Sequence, residues 1–280
     1  MSTVAKRLLV FFVGVPVTLL LVFLKPCNHI ALNLLIVAFS AGAAHEAFQL
    51  ISAKIPVANR CITIIASVLL PFCAYFIGLA QLESEYITLL FAAIAVLLFF
   101  TEIRSHNDFK DSIASLCGKL FIVFYTGYLI TYISRLTPSP YSVQLIAVFL
   151  LLVFMCDSAA WCFGVLLGKN NKGIFKASPN KSVAGFCGGY VGSMAVAVAA
   201  QCLIPELFGT NTVKAVAMGI IIATTSIAGD LVESVIKRSA GYKDSGTAIP
   251  GRGGVLDSLD SIVASAPFYY FCIHFLFNRI

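Results

Sequence analysis

Long apolar stretches separated by short polar segments run through almost the whole chain. A helix that crosses a bilayer needs about 17–25 predominantly apolar residues, and about nine stretches approach or reach that length. This pattern predicts an all-α, polytopic integral membrane protein of about nine transmembrane helices. The predicted spans are Leu8–Leu24, Ile30–Ile51, Cys61–Leu79, Tyr86–Phe100, Ile113–Ile133, Val143–Leu167, Val183–Ile204, Val213–Leu231 and Ile262–Phe277.

The composition indicates that lipid is the main solvent of the chain. Hydrophobic residues make up 59% of the 280 residues and charged residues only 11%, whereas a soluble domain has about 25% charged residues. Such a chain has too little charge to cover a water-exposed surface. The net charge of +6 is therefore assigned to basic loops beside the membrane, and no nucleic-acid partner is expected.

The distribution of Lys and Arg predicts the orientation. Basic residues concentrate in the cytoplasmic loops of membrane proteins, and a cytoplasmic N-terminus places all but four of the 19 Lys and Arg residues on that side. The C-terminus then lies outside. We expect the protein in the cell (inner) membrane, with its active site on the cytoplasmic face. The four exceptions are Lys25, Arg135, Lys214 and Arg279.

The polar residues concentrate in the second half of a single predicted transmembrane domain, residues 1–280. Residues 1–140 are predicted to be scaffold helices, with dimer or lipid contacts left open. Residues 141–280 contain the two longest polar loops, 168–182 and 232–261, which we predict to be cytoplasmic and catalytic. Small residues in the seventh span favour close helix packing, with a groove for lipid as the alternative. They are Gly185, Gly188, Gly189, Gly192 and Ser193.

Acidic side chains near the predicted ends of the last two spans are the first candidates for chemistry. Asp230, Glu233 and Lys237 have the i, i+3, i+7 spacing of one helical face. A carboxylate at the membrane edge is costly unless an ion pair or a metal compensates it, and the spacing alone leaves both explanations open. Asp257 and Asp260 follow at i, i+3 before the last span.

A glycine-rich segment lies between these two sets of acidic residues. Gly251, Gly253 and Gly254 permit close backbone approach, and such loops bind phosphate oxygens through backbone N–H groups. An ordinary connector is the alternative. Because Mg²⁺ prefers one or two protein carboxylates together with substrate phosphates, the whole arrangement predicts a nucleotide–metal site facing the cytosol.

Three further polar residues lie inside predicted spans. His45 and Glu46 are near the cytoplasmic end of the second span. Glu46 either lines the site or forms an interfacial ion pair with a loop cation. Asp157 lies deeper, about two turns from the end of its helix. An ionisable residue at that depth is functional or paired by default.

The polar residues of the second half also form three sequence motifs. Residues 234–260 read S-V-I-K-R-S-A-G-Y-K-D-S-G-T-A-I-P-G-R-G-G-V-L-D-S-L-D, residues 178–182 read S-P-N-K-S, and Asp157 is followed by Ala160, Gly164 and Gly168-Lys169. Together they resemble the signatures of the phosphatidate cytidylyltransferase (CDP-diacylglycerol synthase) family: S-x-x-K-R-x4-K-D-x-G-x2-I-P-x-H-G-G-x-x-D-R-x-D, S-P-x-K-T and D-x-x-A-x3-G-x3-G-K. The N-terminal helices match the family only in hydropathy.

The chain departs from these signatures at three positions. Arg252 replaces the His and Ser258 replaces the Arg of the long motif, while Ala184 replaces a Glu that follows S-P-x-K-T. Arg252 keeps a permanent cation that can contact phosphate. Ser258 and Ala184 each lack a charge that the pattern has.

The resemblance implies an enzyme that condenses CTP with phosphatidate to give CDP-diacylglycerol and pyrophosphate in phospholipid biosynthesis. Its implied cofactor is Mg²⁺, held by Asp230 and Asp257 with Asp260 assisting, and a second, monovalent cation is left open. Lys237 joins these aspartates as a catalytic residue. The partners are CTP, phosphatidate in the bilayer and membrane lipid, with a homodimer left open. The implied substrate-binding residues are Asp157, Ser178, Lys181, Arg238, Lys243, Asp244, Arg252, Gly253 and Gly254.

Two other classes of protein remain as alternatives. A related polytopic lipid enzyme is the first, either a CDP-alcohol phosphatidyltransferase or a lipid kinase. The former carries its aspartates in a tighter run than any found in this chain. A transporter or channel is the second, and it places ionisable groups near the bilayer midplane. Only Asp157 fits that requirement.

Overall fold

The chain is all-helical in the computed structural model, which describes residues 13–105, 109–251 and 253–279. No β-strand occurs in these ranges, and two isolated bridges, Lys172 with Ser182 and Ile249 with Gly253, close two of the loops. The helices are α1 (Val15–Phe23), α2 (Pro26–Ser52), α3 (Arg60–Leu79), α4 (Glu85–Ser105), α5 (Ser112–Ile122), a π-helical segment (Val123–Tyr128), α6 (Thr131–Ser134), α7 (Ser142–Leu167), α8 (Val183–Leu203), α9 (Pro205–Phe208), α10 (Thr212–Ala240) and α11 (Leu256–Phe277).

Eight helical segments in the described ranges are long and apolar enough to cross a membrane. They correspond to the second to ninth predicted spans, so the prediction of an all-α polytopic membrane protein is confirmed. The first predicted span, Leu8–Leu24, begins outside the described residues, and α1 covers most of its described part. The orientation of the termini stays a prediction.

The span that contains Lys119 is a composite of α5, the π-helical segment and α6. Lys119 is fully buried and forms an ion pair with Glu102 of α4. Ser115 also donates to Glu102, at 2.7 Å. An intramembrane lysine is costly unless it is paired, and Glu102 supplies the partner across two neighbouring helices.

The last two long helices extend beyond their predicted apolar runs. The apolar pattern predicted Val213–Leu231 and Ile262–Phe277, whereas α10 continues to Ala240 and α11 begins at Leu256. The pattern marks only the part of a helix that meets lipid. Glu233, Lys237 and Arg238 have good helix propensity and continue α10, whereas Asp257 is favourable in the first turn of α11. The connecting loop is therefore Gly241–Val255, shorter than the predicted polar segment 232–261.

The chain divides into two compact units. The first contains the described residues up to Pro138 together with Ile236–Leu259, and the second contains Ser139–Val235 with the described residues from Asp260 onward. Within the second unit α7 and α8 pack closely. A Cβ at Gly188 would lie 2.6 Å from Phe163 Cβ, and one at Gly192 would lie 2.6 Å from the Met155 carbonyl oxygen. The prediction of close packing through small residues of α8 is confirmed.

Candidate functional site

Asp257 is the centre of a polar cluster in the first unit. It lies in the first turn of α11, and its side chain is 8% exposed. Its Oδ1 atom forms an ion pair with Lys237 of α10. Its Oδ2 atom accepts from the backbone N–H of Ser245 at 2.8 Å and of Gly254 at 2.7 Å. Both oxygens of this carboxylate are therefore engaged by the neighbouring loop and helix.

The loop Gly241–Val255 is folded back on itself beside Asp257. Ile249 and Gly253 exchange two backbone hydrogen bonds of 2.8 and 3.1 Å. Gly253 has φ +111°, and a Cβ there would run into the Asp257 carboxylate, so only glycine fits. The predicted phosphate-binding N–H groups of Gly253 and Gly254 both donate inside this cluster, to Ile249 O and to Asp257. Substrate contact by these two glycines stays a prediction.

Glu46 reaches the same loop from α2. Its carboxylate accepts from the Ser245 hydroxyl at 2.8 Å, from the Val255 N–H at 3.0 Å and from the Leu256 N–H at 2.9 Å. Glu46 is 5% exposed. The sequence left open whether Glu46 forms an ion pair or lines the site. In the structure it accepts from a hydroxyl and two backbone N–H groups of the loop Gly241–Val255 and the start of α11. Its neighbour His45 is exposed and contacts Arg60 at 2.9 Å.

The other predicted residues of this unit that the structure describes lie at the surface. Lys243 and Asp244 are exposed, and so is Arg238, whose Nη1 donates to the Tyr242 carbonyl at 3.3 Å. Arg252 lies outside the described residues. Two cations of the predicted substrate-binding set, Arg238 and Lys243, are thus exposed on either side of the start of the loop.

A second polar cluster lies within the second unit, where Lys181 pairs with Asp230. The distance from Lys181 Nζ to Asp230 Oδ2 is 2.5 Å. Lys181 is held by a turn in which its N–H donates to the Ser178 carbonyl at 3.2 Å. The next residue, Ser182, caps α8 by accepting from the Gly185 N–H at 3.1 Å. This loop therefore fixes Ser178 and Lys181 at the start of a membrane helix.

Asp260 is the buried member of this second cluster. It is 8% exposed, and its Oδ1 accepts from the Ser261 N–H at 2.6 Å. The negative charges of Asp230, Glu233 and Asp157 all act on its carboxyl group. The structure thus brings together three predicted site residues, Asp157, Asp230 and Asp260. Glu233 adds a fourth carboxylate that was noted for its spacing but not included in the site.

These carboxylates have the donor chemistry that Mg²⁺ prefers. No three His, Cys, Asp or Glu side chains in the described parts of the chain converge closely enough to hold a metal ion by themselves. That is compatible with Mg²⁺, which usually takes one or two protein carboxylates and completes its shell with water and substrate phosphates. The acidic surroundings of Asp260 favour such a cation. Asp257 fits one less readily, because Lys237, Ser245 and Gly254 already use both of its oxygens.

Comparison with known protein families gives a match over nearly the whole chain. The profile of a family described as "Cytidylyltransferase family" matches residues 5–276. That range contains both polar clusters and the eight membrane-length helices, the last of them as far as residue 276.

Individual relatives match over shorter stretches. The chain is 34% identical over 172 residues to the phosphatidate cytidylyltransferase of Staphylococcus haemolyticus (strain JCSC1435), covering 61% of this chain and 63% of that protein. It is 34% identical over 163 residues to the phosphatidate cytidylyltransferase of Haemophilus influenzae (strain ATCC 51907 / DSM 11121 / KW20 / Rd), covering 55% and 54%. It is 37% identical over 119 residues to the uncharacterized protein YnbB of Escherichia coli (strain K12), covering 42% and 39%. The match therefore spans about two fifths to just under two thirds of each relative.

Proposed function

The chain belongs to the cytidylyltransferase family, and from that membership we propose that it condenses CTP with phosphatidate to give CDP-diacylglycerol and pyrophosphate. The structural observation that carries the proposal is the loop Gly241–Val255, which joins two membrane-length helices and is anchored on the Lys237–Asp257 pair. Relatives named phosphatidate cytidylyltransferase support the same reaction. Family membership favours it over the phosphatidyltransferase, lipid kinase and transporter alternatives.

The proposed chemistry is transfer of a nucleotidyl group. A phosphate oxygen of phosphatidate attacks the α-phosphorus of CTP in line and forms a new P–O bond. The bond from the α-phosphorus to the bridging oxygen of the β-phosphate breaks, and pyrophosphate leaves with that electron pair. The attacking oxygen is already anionic near neutral pH, so no strong general base is required. Most of the catalysis then comes from positioning and from neutralisation of phosphate charge.

The predicted site residues divide this work between them. The exposed cations Arg238 and Lys243 suit the triphosphate of CTP, and Arg252 and Lys181 complete the proposed phosphate-binding set. Lys237 and Lys181 each form an ion pair with a carboxylate, which fixes the positions of their ammonium groups. Asp157 and Ser178 complete the substrate-binding proposal.

The proposed cofactor is Mg²⁺, and the buried acidic surroundings of Asp260 support it. Asp230 and Asp260 would hold the ion, and Asp257 is the third predicted ligand. When bound, Mg²⁺ neutralises phosphate charge and polarises the bonds at phosphorus. A monovalent-cation requirement and a homodimer stay predictions.

The two substrates account for the membrane architecture. CTP is soluble in water, whereas phosphatidate stays in the bilayer, so the site must open to both phases at headgroup depth. The polar residues at the ends of α10 and α11, next to apolar membrane-length segments, support such a site. We propose the cell (inner) membrane as the location, with the site on the cytoplasmic face.

The reaction can be tested with purified protein and CTP labelled at two positions. We expect label from the α-phosphate to enter the organic phase only when CTP, phosphatidate and Mg²⁺ are all present, because the α-phosphate becomes part of CDP-diacylglycerol. Label from the γ-phosphate should appear only in pyrophosphate. Entry of γ-label into lipid would indicate a lipid kinase, and consumption of CDP-diacylglycerol with an alcohol would indicate a phosphatidyltransferase.

The orientation can be tested by cysteine labelling of intact cells. Thr247 is exposed in the loop Gly241–Val255, and we expect a Thr247→Cys chain to gain label from an impermeant maleimide only after the cytoplasmic side is opened. The reason is the excess of Lys and Arg on that side. Label is compared with the unsubstituted chain, which has nine free cysteines. Thr210→Cys, in an exposed loop predicted to lie outside, is the matched control, and the reverse pattern would invert the orientation.

A further inference from the structure

Glu46 occupies a position that none of the sequence motifs covers. It lies on α2, far along the chain from those motifs, yet its carboxylate accepts hydrogen bonds from the loop Gly241–Val255 and from the start of α11. Its partners are 199 to 210 residues away along the chain. We propose that Glu46 is a positioning residue that holds the loop Gly241–Val255, and through it Asp257, in the arrangement that the reaction needs. The proposal rests on the proposed function for its catalytic consequence but not for the contact itself.

Glu46 caps the beginning of α11 through two of these hydrogen bonds. The Val255 and Leu256 N–H groups stand at the N-terminus of that helix, where backbone donors have no partner inside the helix. Glu46 Oε1 accepts from Val255 at 3.0 Å and Oε2 accepts from Leu256 at 2.9 Å. A carboxylate here is also favoured by the positive end of the helix dipole. Glu46 thus acts as a helix cap supplied by a distant helix.

Ser245 connects Glu46 to Asp257. The Ser245 Oγ atom lies 2.8 Å from Glu46 Oε2 and 2.9 Å from Asp257 Oδ2. The hydroxyl has a single proton, which serves one of the two carboxylates at a time. The Ser245 N–H donates to Asp257 at 2.8 Å. A shift of Glu46 therefore moves the residue that fixes the Asp257 carboxylate.

Two glycines leave the room that the Glu46 carboxylate occupies. The three atoms that a Cβ at Gly246 would meet first are Oε1, Cδ and Cγ of Glu46. A Cβ at Gly254 would meet Ser245 Oγ and the Glu46 carboxylate. Any larger residue at either position forces one of these groups to move. The loop is thus shaped around this carboxylate.

The first test is hydrogen–deuterium exchange on the full-length purified protein. In the native protein each carboxylate oxygen of Glu46 accepts from one backbone N–H group, of Val255 or of Leu256. In Glu46→Gln the side-chain NH₂ replaces one of these oxygens, so one of the two N–H groups loses its acceptor. A buried donor left without an acceptor weakens local structure, so we expect about tenfold or faster exchange at Val255 and Leu256. His45→Ala, which changes the exposed neighbour on the same helix, should exchange like the unsubstituted chain.

The catalytic consequence is measured on the same variants. We expect Glu46→Gln to lower kcat for CDP-diacylglycerol formation by about tenfold or more with a smaller change in KM for CTP, because the loop stays present but misplaced. Unchanged exchange at Val255 and Leu256 would overturn the proposed contact. Faster exchange with unchanged kcat would overturn its catalytic role. An unsubstituted chain with no transfer activity would instead overturn the proposed function, and exchange would then decide the contact alone.

A double-substitution cycle tests the contact if Glu46→Gln folds poorly. Gly246→Ala places a methyl group against Glu46. As a single substitution, we expect it to make hydrogen–deuterium exchange in the loop Gly241–Val255 about tenfold faster. In a Glu46→Ala background the obstructing carboxylate is gone, and the added methyl should have little further effect. Residues in direct contact show such non-additivity. Additive effects of the two substitutions would overturn the proposal.

Discussion

Asp257→Asn should reduce CDP-diacylglycerol formation by about 10³-fold or more while the protein remains folded. Asparagine keeps the size of the side chain but removes its negative charge. Loss of that charge breaks the ion pair with Lys237 and removes a predicted Mg²⁺ ligand. The measurement is kcat at saturating CTP, phosphatidate and Mg²⁺. Asp111→Asn, an exposed aspartate at the start of α5, is the matched control and should be fully active.

A purely capping role for Asp257 predicts a different result. The loss of a helix cap costs about 1 kcal/mol, and asparagine is itself a good cap. The contacts of Asp257 make asparagine a poorer replacement here than its general preference for capping positions suggests. Donors face both oxygens, Lys237 on one side and Ser245 and Gly254 on the other, so the new NH₂ group meets a donor in either orientation.

Hydrogen–deuterium exchange at the N–H groups of Ser245 and Gly254 therefore distinguishes metal binding by Asp257 from positioning of the loop by Asp257. Lost activity with wild-type exchange indicates that Asp257 binds the metal directly. Lost activity with faster exchange indicates that Asp257 acts by holding the loop. Near-normal turnover of Asp257→Asn at saturating Mg²⁺ would contradict both roles.

The membrane fold was predictable because it depends on a property of consecutive residues, the length of each apolar stretch. Each span must present enough apolar length to lipid, and eight predicted spans correspond to observed membrane-length helices. The ends of α10 and α11 were not predictable in this way, since a helix continues past the lipid boundary wherever its residues permit. The Glu102 partner of Lys119 was missed for a related reason. It lies in a different span, and the hydropathy pattern does not report which helices are neighbours.

The candidate site was only partly predictable from the sequence. The motifs identified residue types such as Lys237, Asp257 and Gly253, because phosphate and metal chemistry require those types. They did not report how these residues bond to one another. Glu46 was noted as a membrane-edge acid, but a carboxylate that accepts from backbone N–H groups needs no complementary side chain. No sequence pattern therefore pairs it with the loop Gly241–Val255.

Asp230→Asn should lower the transfer activity without lowering the stability of the fold. We expect transfer to fall by about 10³-fold, because Asp230 is a predicted metal ligand within the acidic cluster of α10 and α11. We expect the melting temperature to stay unchanged or to rise slightly. The lost ion pair with Lys181 is partly exposed, at 22% and 38% of the two side chains, and such pairs contribute only about 0–1 kcal/mol. Asp230 is also one of the negative charges that act on the buried Asp260 carboxyl group, so its removal adds no unfavourable charge there.

The measurements are kcat, Tm with and without Mg²⁺, and the Mg²⁺ concentration for half-maximal activity. Glu206→Gln, an exposed acid in α9, controls for the loss of one charge elsewhere and should leave all three unchanged. Lys181→Met removes the same ion pair but leaves every carboxylate in place. If the pair itself were the functional unit, Lys181→Met and Asp230→Asn would show the same Mg²⁺ dependence. A metal ligand instead requires that only Asp230→Asn lose the stabilisation by Mg²⁺, and retained transfer in that variant at saturating Mg²⁺ would contradict the assignment.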